Sequence, residues 1–178
     1  MTGTASAWVQ RWSHLLGPQA SVLDVACGGG RHLAWFAARG HPVCGVDSDT
    51  AAAAENVPQA ELIQADIESA PWPLNNRQFG AVVVCNYLWR PLFPTLLASL
   101  APGGILIYET FASGQELLGR PRRPAFLLQQ GELLKFCIDL QVVAYECGTV
   151  AAPHRAVQRI VAVREEASHG MPATRSLE

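Results

Sequence analysis

The residues with the clearest chemical potential lie in one run, Val22-Leu23-Asp24-Val25-Ala26-Cys27-Gly28-Gly29-Gly30-Arg31. An apolar, strand-like stretch meets three glycines there, and a helical pattern follows. Glycine accepts positive φ and lets a ligand touch the main chain, while the start of a helix presents unbonded N–H groups. Such a turn serves a nucleotide-like ligand bound at the carboxyl ends of strands. The dinucleotide fingerprint G-x-G-x-x-G is met at Gly28 and Gly30 but fails at Leu33, and no G-K-[ST] of a phosphate-binding loop is present. Asp24 is the discriminating residue. A carboxylate inside the strand end gains nothing from a pyrophosphate. It suits a cationic ligand such as an amino acid moiety or a sulfonium, or a water held against one. The alternative is a structural cap on the turn.

The elements that must position this turn alternate along the chain. Strands are predicted over Ser21–Ala26, Pro42–Val46, Leu62–Ala65, Gly80–Cys85 and Ile105–Thr110. Helices are predicted over Arg31–Arg39, Thr50–Asn56 with Asp49 as N-cap, and Pro91–Leu100. Pro71 and Pro73 force a loop, and Pro102-Gly103-Gly104 ends the third helix. This alternation predicts an α/β, Rossmann-like, doubly wound sheet with helices on both sides. A helix over Gln130–Phe136 and an antiparallel pair, Gln141–Cys147 and Ala156–Arg164, complete a mostly parallel seven-stranded sheet. Residues 1–164 read as a single domain, with 1–20 an N-terminal helix or lid carrying Trp8, Trp12 and His14, and 112–129 a loop on the substrate side. The stretch 165–178 is polar, without periodicity, and is expected to fray.

Composition removes several function classes. Hydrophobic residues make up 49% and charged residues 16% of the 178, enough apolar mass to offset chain entropy. A net charge of −2 gives no basic excess of the kind nucleic-acid binders show. No apolar run approaches the ~20 residues that span a bilayer, and the N-terminus lacks the apolar core of a signal peptide. The five cysteines, Cys27, Cys44, Cys85, Cys137 and Cys147, are odd in number and never C-x-x-C. They read as free thiols of a reducing cytoplasm, with no disulfide framework and no metal site.

The stretch VLDVACGGGRHLAWFAARG resembles motif I of the class I S-adenosylmethionine-dependent methyltransferases, an acid followed by alternating glycines. The matching positions are Asp24, Ala26, Gly28 and Gly30, with Ala26 departing from the first glycine. The resemblance covers roughly residues 20–111. It implies that S-adenosylmethionine is the cofactor and S-adenosylhomocysteine the product. It also implies that Asp47, in VCGVDSD, binds the ribose hydroxyls with Ser48 beside it. Asp66, in QADIESAPW, would receive the adenine amino group with Ile67 beside the ring. Cys27 belongs to the same turn, Arg31 would reach the methionine carboxylate, and Asn86 closes the cofactor site after the fourth strand. Each has a bland alternative: Asp47 complements the dipole of the next helix, Asp66 holds a turn, and Arg31 is a surface helix residue. His32 reads as a helix-face residue. Three acids following successive strands on the glycine edge is what a purely structural reading does not require.

Methyl transfer from a sulfonium is an in-line displacement, so alignment and exclusion of water dominate. Asn86, Tyr87, Trp89, Arg90, Tyr108, Glu109 and Phe111 are expected around the methyl group, with Tyr87, Tyr108 and Glu109 as catalytic candidates. Glu109 is the candidate base or orienter, or a cap on the following loop. The chain has Asn86-Tyr87-Leu88-Trp89 where methyltransferases of nucleic-acid amines carry D/N-P-P-Y/F, which argues against base methylation. With 178 residues and no added recognition domain, a small-molecule acceptor is expected. The layout resembles the tellurite-resistance and thiol methyltransferase-like group, which implies an anionic or thiol acceptor. Arg90 with Arg120, Arg122 and Arg123 could recruit that anion, or dock RNA or protein; the loop arginines could equally be solvated. A non-catalytic cofactor-binding module of the same fold is the remaining alternative.

Overall fold

A computed structural model describes residues 3–165 and Leu177. Seven strands form one sheet: β1 Val22–Val25, β2 Val43–Asp47, β3 Glu61–Gln64, β4 Phe79–Cys85, β5 Leu100–Phe111, β6 Gln141–Ala151 and β7 His154–Val163. Their order is β3-β2-β1-β4-β5-β7-β6. The first five are parallel, and β7 runs antiparallel to both β5 and β6. The helices are α1 Ala7–Trp12, α2 Arg31–Ala37, α3 Ala51–Asn56, α4 Phe93–Ala98, α5 Gln115–Leu118 and α6 Glu132–Phe136.

The β-branched run Ala81–Cys85 is buried throughout, as a central parallel strand covered on both faces must be. Side chains alternate between two cores. One holds Leu23, Val25, Val82, Val84, Leu106 and Tyr108 against Phe93, Leu96 and Leu133. The other holds Val22, Val83, Ile105 and Ile107 against Trp8, Trp12, Leu33 and Phe36. Gly45 allows α2 to close on the sheet. A Cβ there would meet Leu33 Cδ1 at 2.8 Å and Cys27 Sγ at 2.9 Å.

Several boundaries differ from expectation. Thr50, not Asp49, is the residue flanking α3, although Asp49 Oδ1 still accepts the Ala51 N–H at 3.0 Å. The expected helix 91–100 is a 3-10 turn, Arg90–Leu92, followed by α4. Strand β5 starts at Leu100 and takes Pro102-Gly103-Gly104 through a register shift against β4. Trp8 and Trp12 are each 2% exposed and pack in the second core. The expected tail lies outside the described residues apart from Glu165 and Leu177. No helix among the described residues is long and apolar enough to cross a membrane.

Candidate active site

Chain order reverses between β1 and β4, which are neighbours in the sheet, and open α/β sheets bind ligands in the crevice such a reversal creates. The glycine turn leaves β1 on one side of it and Asn86-Tyr87 leaves β4 on the other. Ala26, Gly28 and Gly30 all have positive φ, at 55°, 50° and 78°. A Cβ at Gly30 would crowd Val57 Cγ2 at 3.2 Å and Ala53 Cβ at 3.3 Å, whereas one at Gly28 would meet nothing within 4 Å. Gly30 is therefore required by packing against α3, and the space beside Gly28 is open for a ligand.

Three hollows join along this edge. The first, about 430 Å³, is bordered by Asp47, Ser48, Asp66, Ile67, Glu68 and Ala26. The second, about 620 Å³, is bordered by Cys27, Gly28, Gly29, Arg31, His32 and Asn86. The third, about 290 Å³, is bordered by Glu68, Asn86, Leu88, Thr110, Phe111, Pro121 and Phe126. Tyr87 borders all three. A separate hollow around Trp72, Arg77, Gln78 and Ser99 opens at the start of β4, at the opposite end of the strands.

The acids divide into those that face the hollows and one that does not. Asp47 Oδ2 accepts the Gly28 N–H at 2.8 Å and Oδ1 accepts the Asp49 N–H at 3.1 Å, tying the ends of β1 and β2 together. The Ser48 hydroxyl donates to the same Oδ1 at 3.3 Å. Asp66 accepts the Glu68 and Ser69 N–H groups and the Ser69 hydroxyl, which together hold its carboxyl below the usual range. This is the turn role, and it leaves part of the carboxylate's ~four-site acceptor capacity open toward the hollow. Asp24 is 1% exposed and borders none of the three hollows. Its Oδ2 has no hydrogen bond and lies 3.6 Å from Nδ1 of buried His32. His32 Nε2 accepts the Ser6 N–H at 3.3 Å, which leaves Nδ1 as the protonated nitrogen of the neutral ring, aimed at Asp24. Asp24 thus reaches the cavity only through His32.

Arg31 has no hydrogen-bond or ion-pair partner among the described residues, which leaves its cation available to a ligand. Cys27 is not a nucleophile: burial, aided by Asp24 and Asp47, pushes its thiol up to about 12. Burial raises the Tyr87 phenol well above its ordinary value, and Glu68, Asp66 and Asp47 add to the shift. The Tyr87 hydroxyl faces the Glu68 carboxylate without forming a close hydrogen bond to it.

Two of the three catalytic candidates are placed away from the hollows. Tyr108 is 1% exposed, donates to the Tyr87 carbonyl at 2.8 Å and stacks on Phe93, so it is a core residue that shapes the β4 turn. Glu109 is also 1% exposed. Its oxygens accept from Ser6 Oγ at 2.9 Å, Arg155 Nη2 at 3.1 Å and Arg159 Nη1 at 3.1 Å. A carboxylate hydrogen-bonded to two guanidinium groups is a good anchor. Arg155 Nη1 also donates to Asn86 Oδ1 at 3.1 Å. The chain Ser6–Glu109–Arg155–Asn86 therefore fixes the end of β4 from behind. Trp89 packs on the core, and Arg90 is committed to Glu132 and to the carbonyls of Ala125 and Leu127. Neither rings the site.

Sequence reasoning missed Ser6, His32, Glu68, Thr110, Arg155 and Arg159. One signal was available: Arg155 and Arg159 are four apart on a strand and so share a face. Their partner Glu109 depends on the β5–β7 register, Glu109 opposite Arg159, which local sequence does not encode.

Residues 22–104 match a family described as a methyltransferase domain. The trans-aconitate 2-methyltransferase of Paracidovorax citrulli is 34% identical over 119 residues, 61% of this chain and 45% of the relative. Over residues 22–104 this chain is similar to that methyltransferase domain. The enzyme of the same name from Delftia acidovorans is 29% identical over 147 residues, 74% of this chain and 55% of the relative. The chain thus spans about half the length of the curated relatives it matches. Among solved structures, TehB from Haemophilus influenzae superposes with a TM-score of 0.74 at 16% identity, over 90% of this chain and 63% of that one. At that identity the shared property is the fold.

Proposed function

We propose that this chain is an S-adenosylmethionine-dependent methyltransferase acting on a small molecule. The observation that carries the reading is the continuous trench from the Asp66 turn, past Asp47 and the glycine turn, to Asn86-Tyr87. The residues fit the cofactor. Gly28 leaves open space, Arg31 is an uncommitted cation for the methionine carboxylate, and Asp47 with Ser48 offers acceptors and a hydroxyl to the ribose. Asp66 and Ile67 would flank the adenine, with Ala26, Cys27 and Gly30 shaping the wall between. Asp24 acts through His32, whose ring it orients. When bound, S-adenosylmethionine supplies an electrophilic methyl carbon whose bond to sulfur breaks as the acceptor bond forms, sulfur keeping the electron pair. Tyr87, at the junction of the three hollows, aligns the reacting groups. Glu109 acts as the orienter rather than the base, holding Asn86 through Arg155.

The third hollow takes the acceptor. Pro121 and Phe126 bring the 112–129 loop to its rim, in line with a substrate-side role for that segment of a single domain. The relatives' names, trans-aconitate being a polycarboxylate, and the solvent-facing Arg120, Arg122 and Arg123 are the support that an anionic acceptor has. None of those three guanidinium groups borders the hollow. A thiol would have Glu68 as its nearest carboxylate. Docking of RNA or protein loses one support, since Arg90 is used internally. Five unpaired cysteines fit a reducing cytoplasm.

Calorimetry with S-adenosylhomocysteine tests the cofactor reading. Asp47→Ala and Asp47→Asn remove charged hydrogen bonds worth ~1.5–3 kcal/mol, so affinity is expected to fall about ten- to a hundredfold. Unchanged affinity in folded Asp47→Asn protein would remove the ribose assignment.

A further inference from the structure

The charge of the acceptor follows from the residues of the third hollow, on the reading that the trench holds the cofactor. Its walls are apolar and aromatic, from Leu88, Phe111, Pro121 and Phe126. Its polar residues are Glu68, Asn86, Tyr87 and Thr110, and none is a lysine or arginine. Glu68 is the single charge on the lining.

Every arginine close in the chain or structure to this end of the strands is committed elsewhere or absent from the lining. Arg90 holds Glu132 and two carbonyls. Arg155 gives its terminal nitrogens to Asn86 and Glu109. Arg31 borders the second hollow, and Arg120, Arg122 and Arg123 are exposed outside the third. A carboxylate or oxyanion seated here would give up water and face the Glu68 charge, with no lysine or arginine on the lining to offset either cost.

Two hydroxyls give a second, independent indication that a polar ligand completes this wall. Thr110 is 1% exposed and its Oγ1 has no hydrogen-bond partner, and the Tyr87 hydroxyl faces Glu68 without a close hydrogen bond. A buried hydroxyl without a partner costs about 1–3 kcal/mol, a cost that a ligand with complementary groups relieves. Glu68, Asp66 and Asp47 also surround Tyr87 with negative potential, which keeps its phenol protonated as a donor.

We infer that the methyl acceptor is a small, flat nitrogen compound carrying an N–H and no negative charge, held between the aromatic walls with its N–H on Glu68. The nitrogen lone pair forms the new bond to the methyl carbon, and the proton it then sheds passes to a Glu68 carboxylate oxygen. The hollow's ~290 Å³ is at the lower end for small-molecule sites, which suits one or two rings.

The test is equilibrium binding, measured on protein saturated with S-adenosylhomocysteine, using benzimidazole as the N–H probe and benzoate and trans-aconitate as anions. Benzimidazole is expected to bind at least tenfold tighter than either anion. Glu68→Gln is expected to weaken benzimidazole about tenfold and to strengthen benzoate. Thr110→Val, which keeps the shape and removes the hydroxyl, should weaken benzimidazole while leaving S-adenosylhomocysteine affinity intact. Tighter binding of either anion, no preference among the three probes, or a preference untouched by Glu68→Gln overturns the inference while leaving the cofactor reading in place. Failure of wild-type protein to bind S-adenosylhomocysteine overturns both.

Discussion

Ala26 holds a left-handed backbone conformation, φ 55°, at the first position of a turn where the motif it resembles has glycine. An L-residue there costs ~1–2 kcal/mol, whereas glycine gives back ~0.4–1 kcal/mol through the freer unfolded chain. Ala26→Gly is therefore expected to stabilise the protein by about 0.5 kcal/mol in urea unfolding, and a clear destabilisation would show that the methyl group packs productively. Glu109 belongs to the same scale. Glu109→Gln leaves two guanidinium groups sharing a neutral amide, and breaking buried pairs of this kind costs ~3–5 kcal/mol. Its expected signature is lower stability with an unchanged pH profile of activity, whereas a base would lose the acid limb of that profile. Residue types on the glycine edge were legible in the sequence because each follows a strand directly. Tyr108 lies in the core rather than at the methyl group because alternate β5 side chains face opposite sides of the sheet, and Glu109, read as base or orienter, has its contacts in the β5–β7 pairing that local sequence does not encode.

At the scale of elements, the segment after β5 is held at both ends rather than free. Gln115 donates to the Arg120 carbonyl at 2.9 Å and accepts the Ala156 N–H at 2.9 Å, pinning α5 to β7. Arg90 clamps the far end through Glu132 and the Ala125 and Leu127 carbonyls. Burial pulls the Glu132 carboxyl upward, but the Arg90 hydrogen bonds and charge, with the Gln129 N–H, outweigh it and hold the carboxyl below its ordinary value. A depressed carboxyl contributes stability above its unfolded pKa, and the contribution is lost as pH falls through the folded value. Arg90→Ala is expected to cost about 2 kcal/mol at pH 7, from lost charged hydrogen bonds discounted for the part of Arg90 left in water. The difference from wild type should shrink toward pH 3, and a pH-independent gap in urea unfolding would assign the cost to packing alone. The sequence showed a long loop with arginines but not this clamp, because Arg90 and Glu132 meet only after the chain has crossed the sheet edge.

At the scale of the molecule, the order β3-β2-β1-β4-β5-β7-β6 gathers residues from five strand ends onto one edge. The parallel half of that order was readable from β-α alternation and from valine-rich runs with no polar face. The contribution of β7 was not, since Arg155 and Arg159 acquire meaning only opposite β5. On the proposed reading the carboxyl edge, and not the hollow at the start of β4, holds the cofactor. Backbone hydrogen exchange with and without S-adenosylhomocysteine tests it most directly. Added protection is expected at Ala26–Arg31, Asp47–Asp49, Asp66–Ser69 and Asn86–Tyr87. No added protection along that edge, or protection confined to Trp72–Gln78 and Thr95–Ser99, would contradict it.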